Sequence, residues 1–145
     1  MSEMQHTITQ PVIFSGVGIH TGVLTNMTLK PAKENFGIRF IRIDLKNSPE
    51  IKADIDNLYI TDRSTSLKQG IAEVHTVEHI LAAITGSGID NVMIEIDNIE
   101  IPILDGSAKI FSENIFKAGL IEQQEKRKYF KINRSITLKD EKSGA

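Results

Sequence analysis

Residues 73–86 read EVHTVEHILAAITG and carry the clearest helical pattern in the chain. Apolar side chains recur at the spacing of one helix face. They are Val74, Val77, Ile80, Leu81 and Ile84. Gly86 follows the last of them and is a usual residue at the end of a helix. The pattern predicts a helix that packs its apolar side on a core.

Segments on both sides of this helix have the alternating or β-rich pattern of strands. We predict strands at 7–14, 23–30, 38–43, 64–67, 91–96 and 129–138, and a charged connector at 122–128. A second helix is predicted to open at Asp105-Gly106-Ser107 and to end at Gly119. This order favours a two-layer α+β fold with two helices on one face of a mixed or antiparallel sheet.

The composition excludes several classes of protein. The chain has 145 residues, 40% of them hydrophobic and 25% charged, which is ordinary for a folded domain and unlike a disordered chain. A net charge of −2 disfavours nucleic-acid binding through a basic surface. The absence of cysteine excludes disulfides and thiolate metal sites. No secretion signal or membrane-length apolar run is seen, so we expect a cytoplasmic protein that does not span a membrane.

One cluster of ionisable residues could carry chemistry. His75, Glu78 and His79 lie on the predicted helix, roughly opposite its apolar side. The simplest interpretation is a solvated polar face, as in a non-catalytic α+β interaction domain. The alternative is the His-x-x-Glu-His pattern of inverted zincin peptidases, in which both histidines bind zinc and the glutamate is the general base. That pattern requires both histidines on adjacent turns of one helix.

The wider sequence contains five motifs in a fixed order. They are GVGIHTG at 16–22, TSL at 65–67, TVEHILAA at 76–83, GIDN at 88–91 and EIPILDGSA at 100–108. Together they resemble the N-terminal half of the zinc-dependent UDP-3-O-acyl-N-acetylglucosamine deacetylases of lipid A biosynthesis. The resemblance runs from about Gln5 to Leu138, nearly the whole chain.

The resemblance implies a protein of two similar α+β halves whose helical layers meet at the active site. Residues 1–125 would be the first half, and residues 126–145 a connector and the first strand of a missing second half. The activity would be removal of the N-acetyl group from UDP-3-O-acyl-N-acetylglucosamine. Some members are fused to a hydroxyacyl-carrier-protein dehydratase, and the resemblance leaves open whether this chain has such a parent.

The resemblance also assigns roles to residues. His79 matches a zinc-binding histidine, and Glu78 matches the general base beside it. The other zinc ligands would lie in the missing half, so residues 1–145 are expected to be inactive without it. His75 lies outside the motif and receives no metal role.

Three further positions are assigned a place near the site or a structural role. Ser66 stands where several members have cysteine, next to the substrate, and His20 lies in the glycine loop near the active site. Asp105 precedes the second predicted helix, where a carboxylate can cap free backbone N–H groups, so we expect a structural role for it.

Overall fold

The strands and helices are seen in a computed structural model that describes residues 3–60 and 62–139. Within those residues they are, in chain order, β1 (Met4–Ile8), β2 (Val12–Val17), β3 (Leu24–Pro31), β4 (Ile38–Arg42), β5 (Glu50–Lys52), β6 (Leu58–Ile60), β7 (Ser66–Gln69), β8 (Ala72–Val74), α1 (Glu78–Gly86), β9 (Val92–Ile96), α2 (Lys109–Ala118) and β10 (Leu120–Lys126).

The main sheet has five strands in the order β2-β3-β9-β4-β5. It is mixed, because β4 runs parallel to β9 while the other neighbours are antiparallel. Val92, Ile94 and Ile96 of the central strand β9 are fully buried, whereas Met93 and Glu95 between them are partly exposed. One face of this sheet therefore belongs to the core, as the period of two requires.

The two helices bury their apolar sides in the same core as the sheet. Ile84 of α1 and Ile115 of α2 are fully buried. The ring of Phe111 in α2 meets the ring of Phe14 in β2 edge to face, with centroids 5.0 Å apart, a geometry that aromatic pairs favour. The predicted α+β class, with two helices and a mixed sheet, is confirmed.

A second sheet joins β6, β7 and β8 and leads the chain into α1. Arg42 at the end of β4 links it to the main sheet. The guanidinium donates to the backbone carbonyl of Glu73 in β8 and to the carboxylate of Asp44. Arg42 is buried, and its guanidinium is hydrogen-bonded both to Asp44 and to the backbone of β8. These bonds fix β8 relative to the main sheet.

Both helices begin later than predicted. The first begins at Glu78, and Val74 belongs to β8 instead. Thr76 between them has a φ of +59°, which cannot continue a right-handed helix. The second helix begins at Lys109, because Leu104 and Gly106 also have positive φ, 52° and 78°.

The C-terminal part of the chain also differs from the prediction. Residues 120–126, mostly predicted as connector, form β10, which pairs with β1. Residues 129–138 are predicted as a strand, but the structure assigns none there, and Phe130 and Leu138 are about nine-tenths exposed. Their alternating side chains find no facing surface within the described residues. The division at 125/126 stays a prediction, and its residues 140–145 lie outside the described residues.

The GIDN motif fastens β1 and β10 to the main sheet. The buried Asn91 donates through Nδ2 to the side-chain oxygens of Gln5 in β1 and Gln123 in β10, each at 2.8 Å. Asp90 accepts from Nε of Arg127, just after β10, at 2.9 Å. We therefore assign a structural role to this motif.

Burial of the α1 side chains predicts how the helix contributes to stability. Ile84→Ala should lower the free energy of unfolding by about 2–5 kcal/mol, because it leaves a cavity at a fully buried position. Leu81→Ala should cost less, since Leu81 is only partly buried beside a surface groove. Urea denaturation measures both values. Equal losses for the two variants would contradict this orientation of α1.

Candidate functional site

The start of α1 presents Glu78 with one carboxylate oxygen held and one free. Oε2 accepts a hydrogen bond from the backbone N–H of Thr65 at 3.0 Å. The N–H of Val77, in turn, donates to the carbonyl of Thr65 at 3.1 Å. No hydrogen bond or ion pair involves Oε1 within the described residues, and a carboxylate is favoured in the first turn of a helix. Glu78 is thus oriented but still has an oxygen available to a ligand.

His79 follows directly and is partly exposed. Its imidazole has no hydrogen-bond partner among the residues that the structure describes, so its ring nitrogens are available, as a metal ligand requires. No group of three His, Asp or Glu side chains that could hold a metal ion exists in those residues. The imidazole of His79 could therefore serve as one ligand of a metal ion, but the described residues do not supply a full set of ligands.

A buried carboxylate, that of Glu100, lies behind this turn. The side chain is 1% exposed and accepts four hydrogen bonds. Oε2 accepts from the N–H and the hydroxyl of Thr21, at 2.8 and 2.7 Å. Oε1 accepts from the N–H of His20 at 3.1 Å and from the hydroxyl of Thr76 at 2.8 Å. The glycine loop and the turn before α1 thus share one carboxylate.

The charge of Glu100 is stabilised by hydrogen bonds instead of by a cation, since no ion pair involves it in the described part of the chain. Burial raises its pKa, but the hydrogen bonds from Thr21, His20 and Thr76 outweigh burial and hold the pKa below its ordinary value of 4.5. The carboxylate is therefore ionised at neutral pH.

The glycine loop approaches this carboxylate closely at Gly18. A Cβ placed on Gly18 would lie 2.2 Å from Oε2 of Glu100, a distance at which one of the two groups must move. Gly18 does not have a positive φ, so the conformation itself would accept another residue. The carboxylate is the reason that a glycine is needed here.

His75 lies outside α1. The prediction that it shares one helix face with Glu78 and His79 is therefore wrong. Its backbone pairs with the segment around Glu100: its N–H donates to Ile99 at 2.8 Å, and its carbonyl accepts from Ile101 at 3.1 Å. The positive φ of Thr76 separates it from α1. The adjacent-turn arrangement of an inverted zincin is therefore absent.

Comparison with known proteins identifies the family of this chain. The profile of the LpxC family, described as UDP-3-O-acyl N-acetylglycosamine deacetylase, matches residues 5–145. The chain belongs to the LpxC family. It is 44% identical over 136 residues to the UDP-3-O-acyl-N-acetylglucosamine deacetylase of Cellvibrio japonicus, covering 94% of this chain and 45% of that protein.

Some relatives of the chain are named as bifunctional enzymes. The chain is 39% identical over 143 residues to the bifunctional enzyme LpxC/FabZ of Porphyromonas gingivalis, covering 99% of this chain and 31% of that protein. The chain thus spans less than half the length of these relatives. Neither helix in residues 3–60 and 62–139 is long and apolar enough to cross a membrane.

The remaining positions singled out by the LpxC resemblance lie at different depths. Ser66 is 1% exposed in β7, one residue after the Thr65 that holds Glu78. The side chain of His20 is exposed on the glycine loop, and the hydrogen bond that fixes the residue is made by its backbone.

Asp105 does not cap α2 directly. Its carboxylate accepts from the N–H and the hydroxyl of Ser107, at 3.1 and 3.0 Å. The hydroxyl oxygen of Ser107 then accepts from the N–H of Lys109, the first residue of α2, at 3.0 Å. Asp105 therefore acts on the helix start through Ser107.

Sequence reasoning missed Glu100, although a signal for it exists. The residue lies between Ile99 and Ile101 within the EIPILDGSA motif. An acidic residue inside an apolar run is either buried with partners or placed on an exposed strand face. Its partners His20 and Thr21 are 80 and 79 residues away in sequence, so only the fold identifies them.

The hydrogen bonds of Glu100 predict a pH-dependent contribution to stability. A lowered pKa in the folded state means that the ionised carboxylate stabilises the fold at neutral pH, and that this contribution is lost as the pH falls through the lowered pKa. Glu100→Gln should reduce the free energy of unfolding by about 2 kcal/mol at neutral pH. Chemical denaturation between about pH 7 and pH 3 should show the difference shrinking on the acid side. A difference that grows toward acid pH would contradict it.

Proposed function

We propose that this chain is the part of a UDP-3-O-acyl-N-acetylglucosamine deacetylase that supplies its general base, Glu78, and one zinc ligand, His79. The observation that supports this most directly is the arrangement at the start of α1. Thr65 holds one oxygen of Glu78 and leaves the other free, and the adjacent imidazole of His79 is without a partner in the described residues. The reaction removes the N-acetyl group of the UDP-sugar in lipid A biosynthesis.

A zinc ion would be held by His79 together with ligands outside residues 1–145. It would supply Lewis acidity, which would polarise the acetamide carbonyl and lower the pKa of the attacking water. His79 is the ligand that this chain contributes, because it is the histidine next to Glu78 and makes no competing hydrogen bond in the described residues.

Glu78 moves the proton. Its free oxygen, Oε1, accepts the proton of the attacking water, and the same carboxyl group then delivers that proton to the departing amine. The hydrogen bond from Thr65 to Oε2 keeps the side chain in one orientation during both transfers. A general base held in the reactive geometry accelerates the reaction far more than a mobile carboxylate in water does.

Other residues of the chain bind the substrate or support the site. His20 contacts the substrate from the glycine loop, and Ser66 adjoins it behind Thr65. The partners of the chain are the UDP-sugar substrate and the remainder of the enzyme, not a nucleic acid. The protein works in the cytoplasm, where its nucleotide-sugar substrate is available.

Substitutions at Glu78 and His79 test these roles in the full-length protein that contains this chain. Glu78→Gln should lower kcat by about 10²–10⁴-fold, since the base is lost, while zinc content stays near that of the wild type. His79→Ala should lower both zinc content and activity. Metal analysis after dialysis and a deacetylation assay measure the two effects.

His75→Ala is the matched control for these variants. Its side chain lies outside α1, so zinc content should be unchanged. Full activity of Glu78→Gln, or loss of zinc in His75→Ala with retention in His79→Ala, would refute the assignment.

Residues 1–145 by themselves are expected to fold but not to hydrolyse the amide. The buried core supports folding, whereas a hydrolytic zinc site needs about three protein ligands and the described residues gather no such group. The purified 145-residue chain should show a cooperative unfolding transition, no turnover with added zinc, and less than one zinc per chain after dialysis. One tightly held zinc per chain would show that the site is complete within these residues.

A further inference from the structure

We propose that Glu100 is a positioning residue of the active site, which sets where the glycine loop 16–22 stands relative to the turn that starts α1. The inference rests on the proposed deacetylase function. Glu100 itself does not touch the substrate. It acts through His20 on one side and through the turn that carries Glu78 on the other.

The two carboxylate oxygens of Glu100 accept hydrogen bonds from two segments, the glycine loop and the turn before α1. Oε2 binds only the loop, through the N–H and hydroxyl of Thr21. Oε1 binds the loop through the N–H of His20 and the turn through the hydroxyl of Thr76. Because one oxygen serves both segments, the loop cannot shift relative to the turn without losing a charge-assisted hydrogen bond.

The turn itself needs this support. Thr76 has a φ of +59° and is 3% exposed. A β-branched residue in this conformation is strained and persists only where its surroundings hold it. The hydroxyl is held by Glu100 and the preceding residue, His75, is held by backbone hydrogen bonds to residues 99 and 101. The segment that contains Glu100 thus fixes the turn two residues before Glu78.

Only a glutamate satisfies all four donors. Both carboxylate oxygens are acceptors, whereas a glutamine offers one acceptor oxygen and an amide group that donates. In Glu100→Gln, the amide N–H group would therefore face two other donors. These would be either the N–H and hydroxyl of Thr21, or the N–H of His20 and the hydroxyl of Thr76. Glu100→Asp keeps the charge but is shorter by one methylene and cannot reach both segments at once.

The test uses the full-length protein that contains this chain, with UDP-3-O-acyl-N-acetylglucosamine as substrate. Glu100→Gln should raise KM by about tenfold, the loss of one to two charge-assisted hydrogen bonds in the binding loop, with zinc content unchanged. Glu95→Gln is the matched control: Glu95 lies on β9 and pairs with Lys30 at 2.7 Å. This control should leave KM and kcat as in the wild type.

A double-mutant cycle separates positioning from a merely structural role. If Glu100 acts through the loop, the KM effects of Glu100→Gln and His20→Ala should be far from additive, because the second change finds His20 already displaced. A general loss of stability would leave the two effects additive.

Two further variants, of which Thr21→Val is the milder, keep the test open if Glu100→Gln does not fold. Thr21→Val removes one of the four hydrogen bonds at an exposed position and should raise KM by about two- to threefold. Gly18→Ala forces a Cβ against the carboxylate and should mimic Glu100→Gln, whereas Gly86→Ala, whose Cβ meets no described atom within 4 Å, serves as its control.

The outcomes distinguish this inference from the proposed function. A wild-type protein that does not deacetylate the substrate overturns the proposed function and the role of Glu100 with it. An active wild type in which Glu100→Gln matches Glu95→Gln, or in which the double-mutant effects are additive, overturns the positioning role alone. A raised KM with non-additive effects and intact zinc supports it.

Discussion

The buried carboxylate of Glu100 is the interaction on which the geometry of the candidate site depends. Three segments that are distant in sequence meet there: the glycine loop, the turn before α1 and the strand-like segment 99–101. Burying a charge without a cation is costly unless every lone pair is used. The four donors meet that requirement, so the same contacts that make the charge tolerable also fix the loop and the turn relative to each other.

The helix α1 shows how far periodicity can predict the fold. The apolar pattern predicts that Ile80 and Ile84 face the core, and both are fully buried. The predicted helix began too early because Val74 also fits the helical spacing, although it is a buried residue of β8. The positive φ of Thr76 is the reason that the helix begins later than its apolar pattern predicts. Tertiary contacts impose this φ, and the local sequence pattern does not reveal it.

The sequence pattern does not predict strand β10 for a related reason. This strand is exposed along most of its length, so its side chains show no alternation between apolar and polar residues.

The candidate site was predictable to the extent that its residues are neighbours in sequence. Glu78 and His79 are adjacent, so the motif that contains them places both at the start of one helix. Glu100 and Thr21 are 79 residues apart, and no spacing rule connects them. The grouping of His75 with Glu78 failed because it assumed continuous helix, whereas the backbone of His75 pairs with residues 99–101.

The five motifs divide into two physical roles once they are placed on the fold. Four of them meet around the start of α1: the glycine loop accommodates the carboxylate at Gly18, Thr65 orients Glu78, and the turn with Thr76 is tied to Glu100. The GIDN motif instead joins β1 and β10 to the sheet, through the hydrogen bonds of Asn91 and Asp90. A family signature of this kind therefore mixes residues of the candidate site with residues that hold the backbone in place. The hydrogen-bond partners of each side chain, and not its membership in a motif, decide which role it has.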